Sequence, residues 1–147
     1  MALAMVIKAE GGVTLDEIPE ENGHQTIHSL VGGWFDCVRS EHYVGYVHDE
    51  GLLIGLPVNV LASAMFGQPL VGDCVVLGAL NDDGEYDGEN HDVPDILLSN
   101  KFAFMANAIQ NDPEIRSLVE QAVANINLTP QVTALTDEEF DAWLRGE

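Results

Sequence analysis

Basic side chains are scarce in this chain of 147 residues: Lys8, Arg39, Lys101, Arg116 and Arg145 stand against 25 carboxylates, for a formal charge of −20. That shortage argues against direct nucleic-acid binding, because almost nothing is available to neutralise phosphates. Anionic membrane surfaces are disfavoured by the same repulsion. Cysteine is rarer still. Cys37 and Cys74 sit in apolar, strand-like runs, "WFDCV" and "GDCVVLGAL", which predicts two buried free thiols and a reducing, cytoplasmic compartment. No apolar run approaches the roughly 20 residues of a membrane-spanning helix. The opening "MALAMVIKAEGG" places its only cation after the apolar part, so it reads as a first strand rather than a secretory leader. Catalytic signatures are missing too. No serine lies in a GxSxG setting, no glutamate completes an HExxH pair, and "VGGW" lacks the lysine and spacing of a phosphate loop.

What is present is a globular chain. An apolar fraction of 46% predicts a single domain over residues 1–147. Residues 1–95 should hold mainly strands with a short helix, and residues 96–147 should be helical. "MVIKAE", "WFDCVR" and "PLVGDCVVLGAL" read as strands, the last one buried. "HYVGYVHDEGLLIGLP" reads as a hairpin turning at Asp49-Glu50-Gly51. Residues 13–23, with four acids and Pro19, read as an exposed connection. "HQTIHSLVGG" reads as one or two helical turns stopped by Gly32-Gly33, and Asn59 as an N-cap for "VLASAMF" with Gly67 as its stop. "PDILLSNKFAFMANAIQ" is apolar nearly all round and predicts a helix packed on more than one side. "DPEIRSLVEQAVANI" has Asp112 to cap, Pro113 in the first turn and a stripe from Ile115 to Ile126. A capping box from Thr136 to Glu139 opens a last helix with Phe140, Trp143 and Leu144 on one side. Strands first and helices last predict an α+β fold, a mostly antiparallel sheet with C-terminal helices against one face.

The densest charge lies at residues 82–95, "DDGEYDGENHDVPD", where seven of fourteen residues are acids. Read as a calcium loop from Asp83, it has oxygens at the first, third and fifth places and Gly88 at the sixth. The twelfth place is Pro94, so the bidentate ligand is missing. Read as a phosphate decoy, Asp83, Glu85, Asp87 and Glu89 alternate, which on an extended chain would give separations of about 7 Å. The simplest reading is a solvated connection. His24 and His28, at i and i+4, share a helix face but lack further zinc ligands. His42, His48 and His91 are scattered beside Glu41, Asp49 and Asp92.

One part of the chain resembles a family of small domains of unknown function found in bacteriophages, plasmids and actinobacterial genomes. The resemblance rests on Val31, Gly32, Gly33, Glu50, Gly51, Leu56, Pro57, Asn59, Ala62, Gly72, Val75 and Val76, and spans about residues 28–95. Trp34 and Cys37 depart from its aliphatic strand pattern. The resemblance carries no chemistry, but it implies an accessory protein of a phage or mobile element, acting in the host cytoplasm on a host protein. Charge and context together predict a non-enzymatic protein that binds a basic surface of a host nucleic-acid-binding protein, as a nucleic-acid mimic. The binding residues would be Asp82, Asp83, Glu85, Asp87, Glu89, Asp92, Asp137, Glu138, Asp141 and Trp143. No residue is assigned a catalytic or metal-binding role, and no cofactor is implied. The alternatives are a small metal-dependent or acid–base enzyme using the histidines and carboxylates, and a structural self-associating module in which Trp143 docks on a second copy.

Overall fold

Alternation along single strands decides how this protein is layered. The computed structural model describes residues 1–128. Strands β1 (Ala2–Ile7), β2 (Val13–Ile18), β3 (Phe35–Arg39), β4 (Tyr43–His48) and β5 (Cys74–Gly78) form one antiparallel sheet in the order β2-β1-β5-β4-β3. In β5 every residue is buried, so the run reads as uniformly apolar, as a central strand covered on both faces should. Cys74 and Val76 face one side, with Met5, Ile7, Leu61, Leu70, Val93 and Phe102. Val75 and Leu77 face the other, with Val6, Ile18, Ile27, Val31 and Val44.

Helix α1 (Gly23–Val31) covers the second face through Ile27 and Val31. Helices α2 (Val60–Phe66) and α3 (Asn100–Gln110) cover the first, with α4 (Pro113–Leu128) packed beside α2. The fold is therefore α+β with an antiparallel sheet, as expected, but its helices lie on both faces. α1 provides the second layer because the opposite side of β5 is equally apolar and must be covered. The expected caps form: Asn59 Oδ1 accepts from Ala62 N at 3.1 Å, and Asp112 Oδ1 accepts from Glu114 N at 2.8 Å. Gly32 takes positive φ and its N–H reaches His28 O, ending α1.

Four local expectations are corrected. Residues 13–18 are an edge strand, paired with β1 over its whole length, rather than a connection. Carboxylates on an outer strand keep their solvent and discourage edge-to-edge pairing, so acid content does not exclude a strand. Residues 49–56 form a closed turn rather than a second hairpin arm. Ile54 N donates to Glu50 O, Leu56 N donates to Gly51 O, and Gly55 takes φ 72°, so β4 pairs with β3 and β5 instead. The segment 95–110 is broken. Asp95–Leu98 is a single 3-10 turn, Ser99 accepts from Phe102 N to start α3, and Phe104 is 80% exposed. Cys37 is exposed because β3 is the outer strand; only Cys74 is buried.

Candidate functional site

The antiparallel register gathers five strand termini at one end of the sheet: the start of β1 and β4 and the finish of β2, β3 and β5. The segment between β5 and α3 leaves and returns at this end. Ala79 N donates to His42 O, Gly78 N to His91 O, and Val93 N to Leu3 O at 2.8 Å, while Leu3 N reaches Asp92 Oδ1 at 2.7 Å. Residues 91–93 thus wedge in beside the opening of β1. Gly78 is required there, because a Cβ would lie 2.2 Å from the Asp92 carbonyl oxygen.

Between these two feet the acidic loop is tightly turned. Asn81 Oδ1 accepts from Asp83 N at 3.0 Å and from Glu85 N at 2.9 Å, and Asn81 N donates to Glu85 O. Gly84 and Gly88 take positive φ, as the turns require. Further on, Asp87 Oδ1 accepts from Glu89 N and lies 2.7 Å from His91 Nε2. Those two contacts hold the Asp87 carboxyl below its ordinary pKa, the imidazole contributing most. Tyr86 reaches across to β3, where its hydroxyl meets the Arg39 guanidinium, which also lies 4.3 Å from the ring centroid. The chain is not extended, so Asp83, Glu85, Asp87 and Glu89 do not keep the spacing of an extended strand. They are nonetheless exposed on an ordered loop.

The same end carries carboxylates from other elements. Glu20 and Glu21 follow β2, and Glu41 lies in the β3–β4 turn. Glu20 and Glu89 line one concavity with Met1 and His91. The acidic end thus comprises Glu20, Glu21, Glu41, Asp82, Asp83, Glu85, Asp87, Glu89 and Asp92, with Arg39 the one arginine or lysine on these strands' ends. The loop residues are conspicuous in the sequence, whereas Glu41 and the Arg39–Tyr86 contact depend on strand register and leave no local signal. Asp92 serves the backbone of β1 as well as contributing charge. Asp137, Glu138, Asp141 and Trp143 lie outside the described residues.

The histidines fall in separate places. His42 is 3.8 Å from Glu41, His48 Nδ1 accepts from Glu50 N at 3.0 Å, and His91 pairs with Asp87. His24 and His28 line a different concavity with Trp34. Among the described residues, no group of three or more histidine, cysteine or acidic side chains is placed to hold a metal ion. A concavity of about 590 Å³ is lined by Glu10, Gly11, Gly12, Gln110, Asp112 and Arg116 among others, and contains no histidine. Burial pushes the Cys74 thiol up to about 12, and partial burial raises that of Cys37, against the opposing pull of Arg39. No described helix is long and apolar enough to cross a membrane.

No curated protein and no solved structure matches the chain. One family does, over residues 1–103, a span that takes in the entire sheet, α1, α2 and the start of α3. The match is wider than the resemblance at residues 28–95, because β1 and β2 belong to the same sheet as the motif-bearing strands. With the sheet and the acidic loop both inside it, the chain belongs to the family described as Domain of unknown function (DUF3846).

Proposed function

We propose that this protein is a non-enzymatic accessory factor that binds a basic surface of a nucleic-acid-handling host protein through the acidic end of its sheet. The observation that carries the reading is the convergence of carboxylates from the β2–α1 connection, the β3–β4 turn and the loop 82–92 on one end of the sheet. Opposing field lines from a basic partner would add over such a surface and raise the association rate, with strong salt dependence. The loop is also held before binding: Asn81, Asp87 and Asp92 fix its backbone and Tyr86 rests on Arg39. A prefixed loop loses less conformational freedom on docking than a solvated strand would.

The test uses immobilised full-length protein and a basic nucleic-acid-binding protein recovered from host lysate. Binding should be strong at low salt, fall steeply as salt rises, and be displaced by duplex DNA. A variant carrying Asp82→Asn, Asp83→Asn, Glu85→Gln and Glu89→Gln keeps the loop's backbone contacts and should bind at least about tenfold more weakly, given a coupling of roughly 1.4 kcal/mol or more. Equal binding by that variant would refute the proposal.

A further inference from the structure

Three of the five histidines have a polar partner: His42 with Glu41, His48 with the Glu50 amide, and His91 with Asp87. The side chains of the two remaining ones, His24 and His28, have no hydrogen-bond or ion-pair partner among the described residues. They stand one turn apart on α1, where side chains at i and i+4 are neighbours about 5–6 Å apart at Cβ. Both line one concavity of about 320 Å³, with Gln25, Ser29 and Trp34. His24 is exposed and His28 half-buried. Trp34 is 67% exposed, yet its ring is held edge-on to His28 at 4.8 Å between centroids. The chain reaches that position because Gly32 takes φ 85° and Gly33 sits where a Cβ would be 2.5 Å from His48 Nε2.

From this geometry we infer that His24 and His28 form a two-imidazole site for a late first-row divalent cation, with copper(II) bound most tightly. Imidazole nitrogen suits copper, nickel and zinc, and among these copper(II) stands highest in the usual affinity order. Two protein ligands leave the other coordination positions to water, so the site is exchangeable rather than structural. The negative field of the whole chain raises the local concentration of any cation. Nothing in this site depends on the acidic end or on the proposed partner.

The experiment is a copper(II) titration of the full-length chain carrying Trp143→Phe, so that Trp34 is the sole tryptophan and reports on its neighbour His28. Excess magnesium occupies the exposed carboxylates without competing for imidazole. Saturable quenching of Trp34, reversed by a chelator and by zinc only in large excess, is the expected result. His24→Ala and His28→Ala should each shift the midpoint at least about tenfold, the range seen when a metal's ligand environment is damaged. His42→Ala should leave it in place. Quenching with the same midpoint in His24→Ala and His28→Ala, or none below about 1 mM copper, the threshold of meaningful affinity, overturns the assignment. Circular dichroism of the exposed His24→Ala variant separates loss of the site from loss of the helix.

Discussion

Replacing Asn59 is the sharpest test of how this fold is held together. Its side chain is fully buried and makes three bonds: Nδ2 donates to Ile7 O and to Gly72 O, each at 2.9 Å, and Oδ1 accepts from Ala62 N at 3.1 Å. One residue therefore ties the end of β1, the approach to β5 and the start of α2. Asn59→Ala leaves two carbonyls and one N–H without these partners. At about 1–3 kcal/mol for each buried group left unpaired, taken near the low end because carbonyls keep a second lone pair, the loss is about 3–5 kcal/mol. For a chain of this length that is a fall in Tm of about 10–15 °C. Asn59→Asp separates hydrogen bonding from packing. It preserves the cap, but its second oxygen then faces the Ile7 and Gly72 carbonyls and carries charge into a buried position. Its folded pKa must rise above the unfolded value, so its deficit relative to the native chain is greatest at neutral pH and shrinks as pH falls through the folded pKa. Urea unfolding of the three proteins at pH 7 and pH 5 is the assay. A loss below about 1 kcal/mol for Asn59→Ala, the size of a single ordinary hydrogen bond, would refute the reasoning, as would an Asn59→Asp protein more stable than Asn59→Ala at pH 7.

Further outcomes follow from Gly78 and from the two cysteines. Gly78→Ala would drive a methyl into the Asp92 carbonyl, so urea unfolding should show a loss of about 2 kcal/mol or more. Limited proteolysis of that variant should cut within residues 80–92 before anywhere else in the sheet. Thiol labelling should distinguish the cysteines: Cys37 reacts in the native state, faster as pH rises toward its elevated pKa, whereas Cys74 reacts only on unfolding. Native-state labelling of both thiols would contradict the placement of Cys74 in the core.

The elements legible in the sequence are those set by neighbours in the chain. Asn59, Asp112 and the Gly32-Gly33 stop act within a few residues, and β5 announces itself by an unbroken apolar run. What was hidden depends on distant partners. The strand at Val13–Ile18 looks like a loop until β1 lies beside it, and the thiol of Cys37 looks buried until β3 proves to be outermost. Four expected apolar positions of α4 are only half-covered and Leu118 is 66% exposed, although α4 packs beside α2. The acidic loop was conspicuous from its composition. Glu20 and Glu21 could be grouped with it from composition but not placed on the same side, and Glu41 gave no signal, since strand order alone brings those turns to one end of the sheet.

Both feet of the 80–90 segment are stitched into the sheet, one through Gly78 and Ala79 and the other through His91, Asp92 and Val93. Whatever lies between them is relieved of any duty to the core. Lengthening such a stretch adds only a logarithmic entropy term, about 0.6 kcal/mol per doubling. The protein thus has a seam at which its electrostatic character can be rewritten, by evolution or by an engineer, while the hydrophobic layers beneath stay as they are.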